Sequence, residues 1–161
     1  MIASRSMVLI PLLALLAACG GSSDPTAPPP PPPTYQSIAG SYAGPISGLT
    51  QGIALNAVAS LTIAQTAGTT SGSWALTGTL NDGVSFVNVA GAGSMTGTVA
   101  SGNNPSVTLI FSTPACPNYR ANFSGSYDTA NHRLTVSGPI EFFAAGTCTV
   151  VLSYQEILIL Q

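Results

Sequence analysis

The sequence contains no lysine, and charged residues make up only 5% of its 161 positions. The three arginines, Arg5, Arg120 and Arg133, lie far apart along the chain. They therefore provide no basic patch, which is what proteins use to bind the phosphate backbone of a nucleic acid. We expect no nucleic-acid partner.

Residues that commonly carry catalysis are also scarce. The one histidine, His132, stands in a turn-like segment, and the chain has neither a G-x-S-x-G nucleophile motif nor a P-loop. Glu141 and Glu156 could face each other near the end of the chain, but two solvated carboxylates are the simpler interpretation. Cys116 and Cys148 lack the paired spacing of a zinc site. The sequence thus predicts no enzyme, no metal site and no cofactor.

Long apolar runs are missing as well. The apolar stretch 7–18 has twelve residues, whereas a helix that spans a bilayer needs about 20. That length fits the hydrophobic region of a secretory signal. The segment Leu16-Ala17-Ala18-Cys19 that ends it resembles the lipobox of bacterial lipoproteins.

This resemblance covers the first 20 residues and has clear implications. In that family the signal, here 1–18, is removed, and a diacylglyceryl group is attached to the cysteine thiol, here that of Cys19. Several acyl chains give stable membrane attachment, so the expected membrane partner is reached through Cys19. Gly20 follows where Asp would retain the protein in the inner membrane, which favours export to the outer membrane. An ordinary signal cleaved near Ala18 is the alternative.

Residues 19–37 predict a tether behind the lipidated cysteine. The segment holds six consecutive prolines, Pro28 to Pro33. Such a run adopts an extended polyproline II conformation and acts as a spacer.

From residue 38 to residue 161 the pattern predicts an all-β domain. In Ile53 to Ile63 the odd positions are apolar and most even ones polar, which is typical of an antiparallel sheet with one wet face. Turn signals such as Asn81-Asp82-Gly83 separate the runs. We predict eight strands, with a break or bulge near Gly91 and Gly93 in the fourth: 39–46, 53–65, 72–81, 84–99, 106–112, 119–128, 133–140 and 148–159.

Short connections favour an up-and-down meander that closes into a small barrel, with a β-sandwich as the alternative. A recurrent apolar-small-Gly-small-apolar pattern supports the barrel, because a glycine on the inner face lets a strand bend. It occurs around Gly40, Gly78, Gly97, Gly125 and Gly138. A second interpretation is that these glycines leave room for a ligand.

The domain resembles the small lipocalin-like or avidin-like barrels of bacterial lipoproteins. Lipocalins carry Gly-x-Trp near the first strand, and Gly40-Ser41-Tyr42 stands there in this chain. The resemblance therefore implies a fold and carries over no functional residue.

Strand parity predicts a disulfide. In a meander, the connection between strands 5 and 6 lies at the same end as that between strands 7 and 8, so Cys116 and Cys148 are brought together. An exported protein reaches an oxidising compartment, where such a pair is expected to bridge. Residues 112–118 and 141–148 form the longest loops at that end, and we expect any binding site there.

Two classes of function remain open. One is a monomeric, non-catalytic binding protein that holds a small apolar ligand in the barrel or a protein on its loops. The other is a structural envelope lipoprotein whose barrel is filled. Inhibitors of cell-wall hydrolases also occur on similar barrels, and no motif selects that role here. A core of small residues with a gap would favour ligand binding, whereas Trp74, Phe86, Phe111, Phe123 and Leu152 meeting across the axis would favour a filled barrel.

Overall fold

A computed structural model of the chain describes residues 28–161. The predicted signal peptide 1–18, Cys19 and the first part of the tether lie outside the described residues. The described part divides at Pro32, and the unit Pro32–Gln161 contains the whole fold. Its core residues run from Ile38 to Leu160, so the hydrophobic core lies entirely within this unit.

The unit is an eight-stranded antiparallel meander in which each strand pairs with the next. The strands are β1 Gly40–Thr50, β2 Ile53–Thr66, β3 Thr69–Asn81, β4 Phe86–Val99, β5 Ser106–Thr113, β6 Cys116–Asp128, β7 Arg133–Phe143 and β8 Val150–Leu160. The all-β prediction is confirmed, and most strand ends differ from the predicted ones by three residues or fewer.

The first and last strands meet, so the sheet forms a nearly closed barrel. The backbone N–H of Ala43 donates to the carbonyl of Gln161 at 3.0 Å, and the N–H of Gln161 donates back at 3.2 Å. Backbone groups alternate in direction along a strand, so the next residue of β1 that faces β8 is Pro45, which has no N–H to donate. The seam therefore stays short, and the sandwich alternative does not apply.

Apolar residues at every second position turn inward and form the core. In β2 the inner positions Leu55, Ala57, Ala59, Leu61 and Ile63 are all at most 8% exposed, while the residues between them face solvent. This is the predicted alternation of an antiparallel sheet with one buried face.

The glycine pattern is confirmed in four of its five places. Backbone of a neighbouring strand lies where a Cβ would project from Gly78, Gly97, Gly125 and Gly138, so these positions admit only glycine without a shift. The pattern is wrong at Gly40, which is exposed at the start of β1.

The fourth strand is also continuous where a break was predicted. Its ladder with β3 runs unbroken from Thr69↔Thr98 to Asn81↔Phe86. The interruption lies on its other edge, because the ladder with β5 extends only from Val99↔Val107 to Ser94↔Ser112. The first part of β4 therefore pairs with β3 alone, and Phe86, near the tip of that hairpin, is 74% exposed.

The two ends of the barrel differ. The end that carries the β2–β3, β4–β5 and β6–β7 connections is here named the closed end, because Ile38 is fully buried there and the rings of Tyr42 and Tyr127 pack edge to face at 6.4 Å. The last residues of the predicted tether also contact this end: the carbonyl of Thr34 accepts from Gly102 at 3.3 Å and that of Gln36 accepts from Gln65 at 3.0 Å. The opposite end, with the β1–β2, β3–β4, β5–β6 and β7–β8 connections, is here named the open end.

Candidate functional site

A cavity of about 590 Å³ occupies the half of the barrel toward the open end. Its lining is mainly apolar and includes several small residues. Those that leave the space are Ala59, Gly91 and Ala121, and larger side chains that surround it include Ile46, Leu61, Leu76, Ile140 and Leu158. The interior is thus filled at the closed end, whereas toward the open end it is partly hollow, with Leu55 and Tyr154 still packed beside the cavity.

A row of aromatic rings forms one wall of the cavity. Trp74 packs edge to face against Phe111 at 6.1 Å, and Phe111 packs against Phe123 at 4.8 Å. The indole of Trp74 passes over Gly91 and Gly93 of β4, where an added Cβ would lie 3.3 Å and 2.7 Å from it, respectively. Its Nε1 donates to the carbonyl of Ser112 at 2.9 Å. These rings follow β3, β5 and β6 and leave the centre of the cavity free, and Phe86 lies outside it.

The barrel wall opens between β6 and β7. Their ladder runs from Asp128↔Arg133 to Ser124↔Ser137 and stops there. The carbonyl of Thr135 faces β6 at Gly125, so the alternation directs Pro139 toward β6 as well, and proline cannot continue the ladder. The unpaired parts of the two strands, 116–123 of β6 and 138–143 of β7, border what is here named the side opening.

A disulfide closes the side opening at the open end of the barrel. Cys116 at the start of β6 is bonded to Cys148 in the β7–β8 connection, with the two Cα atoms 5.5 Å apart. This confirms the pairing predicted from strand parity. The disulfide therefore links the β7–β8 connection to β6 in a region where β6 and β7 have no hydrogen-bonded ladder.

Polar and aromatic side chains occupy the side opening. Tyr119 of β6 packs edge to face against Phe143 of β7 at 4.9 Å. The Tyr119 hydroxyl is buried beside the Glu141 carboxylate, outside regular hydrogen-bond geometry. Burial, followed by the nearby carboxylate of Glu141, raises the pKa of Tyr119 above its ordinary value. Glu141 itself lines the cavity and approaches the Ser153 hydroxyl at 3.5 Å.

The two loops singled out from the sequence meet at the mouth of the cavity. Ser112, Thr113 and Ala115 come from one, and the segment from Glu141 to Thr147 comes from the other. What the sequence did not indicate is the side opening itself. Pro139 within a strand was its only signal, since proline in a strand marks an edge or an interruption of pairing.

Other ionisable residues are dispersed. His132 lies in the β6–β7 turn at the closed end, where its Nδ1 is 3.1 Å from the Tyr127 hydroxyl. Glu141 and Glu156 do not face each other, because Glu141 pairs with Ser153 and Glu156 with Gly138, which places them on opposite faces of the sheet. Across residues 28–161, no three His, Cys, Asp or Glu side chains are grouped as a metal site would require.

From residue 28 onward no helix has the length and apolar character that a transmembrane span needs.

No protein-family model, no curated protein and no solved structure matches this chain.

Proposed function

We propose that this chain is an exported, lipid-anchored binding protein that holds a small apolar ligand inside a lipocalin-like barrel. The observation that carries the proposal is the cavity of about 590 Å³ with a mainly apolar lining. Ligand sites are usually concave, apolar and roughly 300–1,000 Å³ in volume. The cavity falls within that range.

The distribution of side chains also supports ligand binding over a filled barrel. Ala59 and Ala121 stand at buried lining positions where larger residues would fill the interior. Packing in protein cores leaves few voids, because each void forfeits van der Waals contacts. A hollow of this size at one end of an otherwise packed barrel is therefore best explained by an occupant.

The cellular setting in this proposal rests on the sequence. The lipobox-like segment that ends at Cys19 would anchor the protein in the outer membrane, and residues 20–33 would separate the barrel from the lipid. A disulfide between Cys116 and Cys148 is in keeping with an oxidising compartment outside the cytoplasm.

The test uses the unit 32–161, whose own core folds it, and exploits Trp74 as the only tryptophan of the chain. Because Trp74 lines the cavity, dodecanol entering it should change the indole fluorescence and saturate at one molecule per barrel by native mass spectrometry. Absence of saturable binding to the folded unit would contradict the proposal.

A pair of matched variants locates the binding. Ala121→Leu adds volume inside the cavity, whereas Ala64→Leu makes the same change on an exposed position of β2. We expect A121L to weaken dodecanol binding about tenfold or more, and A64L to leave it unchanged. Equal affinities in two folded variants would place the dodecanol elsewhere.

A further inference from the structure

The cavity contains one charged residue in an otherwise uncharged lining. Of the residues that surround it, only Glu141 carries a formal charge, and neither Arg120 nor Arg133 is among them. Arg120 lies on the adjacent strand β6, where its guanidinium donates to the carbonyls of Pro117 and Tyr119, each at 2.7 Å. The guanidinium on the neighbouring strand is thus bonded to backbone and does not neutralise the carboxylate at the edge of the cavity.

Glu141 lies at the edge of the cavity and outside the packed core. It is only partly buried, at the side opening where β6 and β7 separate. The register places it on the face opposite to the inward-facing Gly138, so it borders the cavity from the rim of the side opening. A bound molecule with an apolar body could therefore leave its polar end beside Glu141.

Tyr119 provides a second polar group at the same place. Its buried hydroxyl lies beside the Glu141 carboxylate but outside regular hydrogen-bond geometry, and a buried polar group that is poorly partnered is costly. A ligand group that hydrogen-bonds at the side opening would satisfy it. The aromatic ring of Tyr119 also presents a face to which cations are attracted.

We propose that the ligand is a cationic amphiphile, an alkyl or aryl amine, whose ammonium group binds Glu141 and Tyr119 in the side opening while its apolar part fills the cavity. This proposal rests on the proposed function, since it names the ligand class of the same cavity. A fatty acid of equal length is disfavoured, because its carboxylate would lie beside that of Glu141.

The experiment compares three probes of equal chain length on the unit 32–161, each below its micelle concentration. They are dodecylammonium, dodecanol and dodecanoate, with binding followed by Trp74 fluorescence. We expect dodecylammonium to bind about tenfold more tightly than dodecanol, since a hydrogen bond to a charged group contributes about that factor. Dodecanoate should bind more weakly than dodecanol.

The variant Glu141→Gln should remove the preference for the ammonium and leave dodecanol binding unchanged. The matched control is Glu156→Gln, which alters a carboxylate of β8 that does not line the cavity. A preference that persists in E141Q, or that is lost in E156Q instead, overturns the assignment to Glu141.

A measurement on the unaltered protein keeps the proposal testable if E141Q does not fold. Added salt screens charge pairs that are near solvent, so the ammonium preference should shrink as salt rises while dodecanol affinity does not. Equal binding of all three probes overturns the ligand class but retains the apolar site, whereas binding of none contradicts the proposed function itself.

Discussion

The indole Nε1 of Trp74 donates to the backbone carbonyl of Ser112 at 2.9 Å. Trp74 belongs to β3 and Ser112 to β5, so this hydrogen bond spans the strand between them. The bond is made where the β4–β5 ladder ends at Ser94↔Ser112. It therefore attaches β5 to β3 above the part of β4 that pairs on one edge only.

This arrangement requires a glycine at position 93. A Cβ there would collide with the Ser112 carbonyl and would lie 2.7 Å from the Trp74 Nε1. We expect Gly93→Ala to lower the free energy of unfolding by about 1–3 kcal/mol, measured by urea denaturation. In the matched control, Gly40→Ala, the nearest atom to the new Cβ is 3.6 Å away, so stability should change little. Similar losses in both variants would contradict the collision.

Removal of the disulfide should destabilise the barrel. The two cysteines are 32 residues apart, and a cross-link over such a loop contributes about 2–4 kcal/mol. We expect the double variant Cys116→Ala with Cys148→Ala to lose that amount in urea denaturation. A thiol assay on unreduced, denatured protein should find neither residue reactive, and two reactive thiols would refute the pairing.

Asp82 in the β3–β4 turn should make a pH-dependent contribution to the free energy of unfolding. Its carboxylate accepts from the backbone N–H groups of Ser85 at 2.7 Å and Val84 at 2.9 Å. These bonds, that of Ser85 first, lower the pKa of Asp82 below its ordinary 3.8. A carboxyl group whose pKa is lower in the folded state stabilises the fold at pH values above its ordinary pKa. This stabilisation is lost as the pH falls through the pKa of the folded state.

We therefore expect Asp82→Ala to be less stable than the parent at neutral pH and equal to it in strong acid. Urea denaturation across that pH range measures the difference. An NMR titration of the Asp82 carboxyl should have its midpoint below 3.8, and a midpoint above that value would contradict the turn geometry.

Alkaline stability should depend on Tyr42 at the closed end. Burial, and then the neighbouring Tyr127, raises the pKa of Tyr42 above its ordinary 10.0. The neutral hydroxyl donates to the Ile38 carbonyl at 2.8 Å. With a raised pKa in the folded state, the stabilisation is complete below about pH 10 and declines as pH rises beyond it.

The Tyr42→Phe variant should accordingly lose less stability than the parent between about pH 10 and pH 12. Its free energy of unfolding at neutral pH should be lower, since the hydrogen bond to Ile38 is gone. Parallel alkaline profiles for the two proteins would show that Tyr42 does not control this range.

Lipidation at Cys19 is tested by phase partitioning. Cys19→Ala removes the only thiol that the lipobox-like segment offers, so the protein should leave the detergent phase. The double variant at Cys116 and Cys148 retains Cys19 and should stay in that phase. Unchanged partitioning of C19A would exclude lipidation.

Much of the fold could be predicted from the sequence because the side-chain pattern of each strand shows which of its faces is buried. The alternation in 53–63 and the Asn81-Asp82-Gly83 turn depend on neighbours in the chain, and both predicted elements are found. The disulfide followed from counting strands, since an even number of reversals returns the chain to the same end.

The candidate site could be predicted only in part. Its loops were identified from the strand parity, but the side opening depends on how far β6 and β7 stay in register. The length of the β6–β7 ladder depends on pairing between the strands and on Pro139 facing β6. The alternation of apolar and polar residues within one strand gives no information on either. The sequence alone therefore indicates a solvated carboxylate at Glu141, and only the side opening shows that it lies beside the cavity.

The seam between Ala43 and Gln161 has a consequence for how the molecule is made. Every other strand pairing joins neighbours in sequence, so seven hairpin contacts can form as the chain appears. The seam alone requires the two extremities of the sheet to find each other, and β8 is the last strand to be synthesised. The sheet therefore remains an open ribbon with two bare edges until β8 pairs with β1, and that interval is when it is most exposed to edge-to-edge aggregation.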